Sequence, residues 1–136
     1  MKKFFVSKTQ NKTCKMKVSQ APSSRKPQEL DDTNFVQAIR SNKFYVLDAW
    51  AHWCGPCRMM LPEFDKITAA CIRKDVTFGK IHVADPKSEK AKVALNISSL
   101  PTFIIFKDGR EVARKSGASK LDEMTGWIDQ YIGKPQ

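Results

Sequence analysis

No run of apolar residues in this chain approaches the roughly 20 needed to cross a bilayer, so no membrane-spanning helix is expected. The first 28 residues contain no Asp or Glu. They also lack the apolar core of about 7 to 15 residues that a secretory signal needs, because Phe4, Phe5 and Val6 form their longest apolar run. Secretion by that route is not expected. Cysteine is scarce as well, with four in 136 residues and a single closely spaced pair. A structural zinc site is therefore not expected, since the remaining ligand candidates, Cys14, Cys71, His52 and His82, are isolated from one another in sequence. No segment repeats another, and the length suits one domain.

What is present divides unevenly. Apolar residues make up 41% and charged residues 28%, the proportions of a soluble globular protein. The formal charge of +10 belongs mostly to the first 28 residues, which hold eight Lys and Arg, whereas beyond them 16 basic residues face 14 acidic ones. A basic extension over residues 1–28, disordered by its composition, is thus expected ahead of one domain over residues 29–136. Its basic and hydroxyl-rich character fits an organellar transit peptide, although such peptides favour Arg and this one is mostly Lys. A solvated extension, a tail for an anionic surface, or a natural start at Met16 are the other readings. The domain itself carries no basic excess that would mark a nucleic-acid binder. The compartment expected is the cytoplasm, or the mitochondrion or another organelle if the leader is a transit peptide.

The most informative segment is Trp50-Ala51-His52-Trp53-Cys54-Gly55-Pro56-Cys57. It follows an apolar run, Phe44 to Trp50, that reads as a buried strand, and precedes a helix expected from about Cys54 to Arg73 with Met60, Phe64, Ile67 and Cys71 on its buried stripe. Pro62 should kink that helix. A CxxC at such a junction reads as a redox pair. Upstream, Asp31, Asp32 or Thr33 should cap a short helix carrying Phe35, Val36 and Ile39. Downstream, a strand is expected over Val76 to Val83, a turn at Asp85-Pro86, a short helix to about Leu95, and a strand around Phe103 to Phe106. Asp108-Gly109 suits a hairpin turn into an edge strand, Glu111 to Lys115. Leu121, Met124, Ile128 and Tyr131 then line a terminal helix. The order is helix, strand, helix, strand, helix, strand, strand, helix, which favours an α/β fold with a mixed sheet covered on both faces.

The chemistry follows from the pair. A thiolate, not a thiol, attacks a disulfide, and the free N–H groups of a helix N-terminus would stabilise one at Cys54. Gly55 permits the tight turn, and Pro56 near the first helical position gives up an amide proton that had no partner. Cys57, one turn deeper, is the candidate resolving thiol. Asp48 is a carboxylate inside an apolar strand, so its pKa should rise, which suits a proton acceptor for Cys57; the alternative is a sheet edge facing water. Lys80 in the next strand could pair with Asp48 or face solvent. Pro101, at the mouth of an apolar strand and read with a CxxC, is expected in the cis form, presenting backbone to an extended substrate. His52 reads as an exposed surface residue, or as a cation favouring the Cys54 thiolate. Cys71 reads as a buried core thiol and Cys14 as an incidental exposed one.

Over about residues 29 to 133 the sequence resembles the thioredoxin family, through Asp48-Ala49-Trp50-Ala51, Trp53-Cys54-Gly55-Pro56-Cys57, Pro62, Pro101-Thr102, Phe106-Lys107-Asp108-Gly109 and Gly117. The resemblance implies the thioredoxin fold, dithiol–disulfide exchange on protein substrates, and electrons drawn from a thioredoxin reductase, with no bound cofactor and no metal. It also implies a substrate groove formed by Trp53, Leu100, Pro101 and Gly117, Asp48 and Lys80 as a buried proton-handling pair, and a monomer. His52 and the stretch His82-Val83-Ala84 depart from the family pattern. Two other functions stand beside reduction: a binding module whose dithiol is secondary, and an oxidant or isomerase, which Gly-Pro between the cysteines disfavours.

Overall fold

The computed structural model describes residues 25–133. In chain order its elements are strand β1 (Gln28–Leu30), helix α1 (Phe35–Arg40), strand β2 (Phe44–Trp50), helix α2 (Gly55–Ala70) and strand β3 (Val76–His82). A 3-10 turn (Pro86–Ser88) then runs into helix α3 (Glu89–Ala94), followed by strands β4 (Thr102–Lys107) and β5 (Arg110–Ser116) and helix α4 (Leu121–Ile132). The strands lie in the order β1-β3-β2-β4-β5. β1 and β2 run parallel to β3, whereas β4 is antiparallel to both β2 and β5. The result is the mixed α/β sheet the sequence predicts.

Alternation along the strands sends side chains to two separate cores. On one face Phe44, Val46, Phe78, Phe103 and Ile105 pack with Met60, Phe64 and Ile67 of α2 and with Met124, Ile128 and Ile132 of α4. On the other, Tyr45, Leu47, Ala49, Ile81 and Ile104 pack with Ile39 of α1 and Ala91 of α3. Covering both faces explains why β2 and β4 are almost continuously apolar. The hairpin turn falls at Asp108 and Gly109, both with positive φ (52° and 83°), as a two-residue turn between twisted strands requires.

Several expectations change in detail. β1 is not expected from the sequence, because three residues with one buried side chain carry no periodic signal. It begins at Gln28, and the Arg25 guanidinium donates to the carbonyls of Cys71 and Val76, so described structure starts ahead of residue 29. Asp31 and Asp32 do not cap α1. The Asp31 carboxylate accepts from the N–H and hydroxyl of Thr33, and Asp32 instead accepts from Ala91 N–H (2.7 Å) and Lys90 N–H (3.2 Å) in the first turn of α3. α2 ends at Ala70, not Arg73, because the buried Arg73 forms a bidentate pair with Asp75 and donates to the Ile132 carbonyl, which draws residues 71–73 out into an extended return to β3. Pro62 lies inside α2 as expected. Cys71 is buried, but not as the free thiol expected. On α4 the buried row is Met124, Ile128 and Ile132, four residues apart, while Tyr131 lies at its border, 39% exposed against Trp127. The expectations for Cys14 and for the extension over residues 1–24 lie outside the described residues.

Candidate active site

β2 runs Asp48-Ala49-Trp50 toward the end of the sheet where β4 begins, since Ala49 pairs with Thr102, and Thr102 in turn pairs with Ser116 of β5. That register gathers the CxxC, Pro101 and Gly117 at one end of the sheet. Beyond Trp50 the chain reverses in a turn closed by Cys54 N–H donating to the Ala51 carbonyl (3.1 Å), and α2 starts at once. Cys54 is the N-cap of α2, in extended conformation, and its Sγ accepts from the Cys57 N–H at 3.3 Å. A sulfur at that position faces the N–H groups of the first turn, where the helix dipole is positive. Pro56 occupies the first turn without sacrificing a helical hydrogen bond. Among the described residues Cys54 and Cys57 are the free cysteines. Cys54 retains 8% exposure and Cys57 none. Burial, then the hydrogen bond with Cys54, pushes the Cys57 thiol up to about 12, and the charge of Asp48 adds to that rise.

Asp48 shares the face of Phe44 and Val46 and is fully buried, with no hydrogen-bond partner for either carboxylate oxygen among the described residues. Burial pushes its carboxyl up to about 7, opposed by the positive charge of Lys80 and reinforced by Asp65 of α2. The water-facing alternative for Asp48 is thus overturned. Lys80 stands beside Asp48 in the β2–β3 register, but its ammonium pairs with Glu29 of β1 at 3.6 Å. The expected Asp48–Lys80 pair therefore acts through charge, with the lysine shared by an exposed glutamate. Asp65 was missed in the sequence, since nothing in its helical spacing marks which strand it faces.

Of the groove residues that the resemblance implies, Leu100, Pro101 and Gly117 lie together, and Trp53 lines a separate cleft. The Leu100–Pro101 bond is cis, and the Pro101 carbonyl accepts from Gly117 N–H at 2.9 Å. Gly117 has φ +91° with open space beside it, so its backbone and not crowding calls for glycine. Leu100 packs against the core cluster that contains both cysteines. Trp53 is 65% exposed and forms one wall of a cleft of about 660 Å³ with Val83, Val93 and Ile97. The cleft is open and partly apolar, with Asp85, Glu89 and Lys92 also on its walls. Two further side chains at this end are His52 and His82, whose rings meet with Nδ1 of His52 3.0 Å from Nε2 of His82. Among the described residues no three His, Cys, Asp or Glu side chains gather as a metal site would require, and no helix is long and apolar enough to span a membrane.

A mixed sheet whose central strand delivers two free thiols to a helix N-terminus, with a buried carboxylate behind them, defines a dithiol–disulfide exchange protein. Comparison with known proteins agrees. The thioredoxin family model matches residues 26–130. The chain is 39% identical to a thioredoxin of Alicyclobacillus acidocaldarius over 103 residues, 76% of this chain and 95% of the relative. It is 38% identical to thioredoxin C-3 of Corynebacterium nephridii over 112 residues, 81% of this chain and 74% of the relative. Among solved structures, oxidized mitochondrial thioredoxin 3 of Saccharomyces cerevisiae superposes with a TM-score of 0.66 at 31% identity, covering 76% of this chain and 94% of that one. The chain belongs to the thioredoxin family and is a thiol–disulfide oxidoreductase.

Proposed function

We propose that this protein reduces protein disulfides by a two-step exchange in which Cys54 attacks and Cys57 resolves. The carrying observation is the asymmetry of the pair: Cys54 caps α2 and keeps some exposure, whereas Cys57 is buried with its thiol held protonated. The Cys54 thiolate forms a bond to one substrate sulfur, and the other sulfur leaves as a thiolate and takes up a proton. Cys57 then gives its proton to Asp48, and its sulfur attacks Cys54 Sγ. The second substrate thiol is released, two electrons have passed to substrate, and the Cys54–Cys57 disulfide remains. Asp48, with a carboxyl near pH 7, is poised to take and return that proton. Lys80 tunes it by charge. Trp53, Leu100, Pro101 and Gly117 hold the substrate segment.

The disulfide form must regain two electrons, and a thioredoxin reductase is the partner proposed to supply them, with no cofactor bound in this chain. The protein is proposed to act as a monomer. The cytoplasm is the compartment proposed, with a mitochondrion or another organelle the alternative should the basic leader be cleaved as a transit peptide. Mass spectrometry of the mature N-terminus from native cells decides between them.

Insulin reduction driven by dithiothreitol tests the central reading. Wild-type protein is expected to accelerate it, Cys54→Ser to abolish the acceleration, and Cys57→Ser to accumulate a mixed disulfide with substrate on Cys54. An inert wild-type protein, or a Cys54→Ser variant as active as wild type, overturns the reading.

A further inference from the structure

The turn that carries the reactive sulfur is tied to the neighbouring strand by a side chain that the exchange chemistry above does not use. Residues Ala51 to Cys54 form a reverse turn in which the Ala51 carbonyl accepts from Cys54 N–H. His52 and Trp53 are its two central residues. The turn's own hydrogen bond leaves the His52 N–H unused, and this N–H donates to Nε2 of His82, at the end of β3, at 3.1 Å. The same Nε2 lies 3.0 Å from Nδ1 of the His52 ring. An imidazole nitrogen that accepts from a backbone N–H has its lone pair there and no hydrogen, so the His52 Nδ1 must supply the hydrogen of the second contact. The geometry thus calls for a hydrogen on Nδ1 of His52 and none on Nε2 of His82, with one lone pair on His82 receiving two donors. The His82 ring is itself held in place by stacking on Trp50, with centroids 4.5 Å apart and planes inclined by 30°. One residue on, Val83 N–H donates to the Trp50 carbonyl at 2.9 Å, so β3 grips the chain on both sides of Ala51.

We infer that His82 is a positioning residue for disulfide exchange: through Nε2 it anchors the turn that presents Trp53 and Cys54 to substrate. The inference rests on the exchange reading given above. Exchange requires three sulfurs in line, and a turn free to pivot about Ala51 spreads Cys54 Sγ and the Trp53 wall over many orientations, which lowers the fraction that can react. The anchor acts on the attacking cysteine through the backbone and does not touch the substrate sulfurs. Sequence reading treats His52 and His82 as two separate surface departures; only the β2–β3 register, which places Trp50 beside His82, brings them together.

Two substitutions separate the acceptor from the ring. His82→Phe keeps an aromatic ring to stack on Trp50 but removes the acceptor. His82→Gln loses the ring but offers its Oε1 near the place of Nε2. For insulin reduction, His82→Phe is expected to lose about fivefold in kcat/KM, the net size of one hydrogen bond at a site open to water. His82→Gln should stay within about threefold of wild type. A role for His82 in packing alone reverses that order. Nitrogen-15 spectroscopy of the intact wild-type chain at pH 8 provides a second measurement that needs no variant. It should report His82 with a hydrogen on Nδ1 and none on Nε2, together with slowed exchange of the His52 amide. An Nε2–H tautomer for His82, a freely exchanging His52 amide, or a His82→Phe variant as active as wild type overturns the anchor. If wild-type protein fails to reduce insulin at all, the exchange reading falls, while the tautomer and amide measurements still decide whether the turn is anchored.

Discussion

Burial raises the pKa of Asp48, and this has a measurable signature in stability as well as in catalysis. Its folded-state pKa, near 7, lies above the ordinary aspartate value of about 3.9. Between those values the folded chain holds a proton that the unfolded chain has released, so stability falls as pH rises through this window. The contribution is fully present below about pH 4 and fully lost above about pH 7, and three pH units correspond to about 4 kcal/mol. Asp48→Asn is therefore expected to be more stable than wild type by a few kcal/mol at pH 8, with the gap closing toward pH 4 in urea titrations. The same variant has no proton acceptor behind Cys57. Resolution of the mixed disulfide should slow by at least about tenfold at neutral pH, as followed by rapid-quench alkylation. Greater stability and slower turnover in one substitution would separate the role of this carboxylate in catalysis from any role in holding the fold.

At the level of elements, the strands were the most legible part of the sequence, and the reason is visible in β2 and β4. Phe44 to Trp50 and Phe103 to Phe106 are buried on both faces, so their apolar character is continuous and their ends are marked by polar or turn residues. The CxxC, Asp48 and Pro101 were legible for a related reason: each breaks a local pattern. Asp48 interrupts an apolar run, and Cys54 stands where the period changes from strand to helix. β1, the Lys80–Glu29 pair, the Asp65 contribution and the His52–His82 contact were not legible, because each depends on which strand or helix lies beside which, and single-chain periodicity does not carry that. Tyr45 and Gly79 give another such case, visible only in the β2–β3 packing. A Cβ added at Gly79 would sit 2.1 Å from the Tyr45 hydroxyl and 2.8 Å from its ring, in a strand flanked by β1 and β2. Gly79→Ala is thus expected to cost about 1 to 3 kcal/mol by overpacking. Adding Tyr45→Phe, which removes the nearest atom, should recover part of that loss in a double-mutant cycle of denaturation free energies.

For the whole molecule, residues 25–133 supply the five strands described, both cysteines of the CxxC and all the proposed groove residues. A chain beginning at Arg25 is expected to reduce insulin with a kcat/KM within about twofold of the full-length protein. Its affinity for anionic surfaces at low salt should fall, because most of the excess positive charge precedes that point. Arg25 is different, since its guanidinium ties the chain to carbonyls of Cys71 and Val76 and lies over the Phe78 ring. Arg25→Ala should lower the melting temperature by a few degrees, which differential scanning calorimetry can read. The strand order also governs how the reactive pair fares when the fold loosens. Cys54 follows β2, the middle strand of five, whereas among the described residues β1 and β5 are the strands with a neighbour on one side only. Fluctuations that peel away an outer strand expose amides there first and leave the dithiol mounted on the last part of the sheet to exchange its hydrogens. On heating, the capacity to reduce disulfides should therefore persist through local fraying and vanish only with the cooperative collapse of the centre.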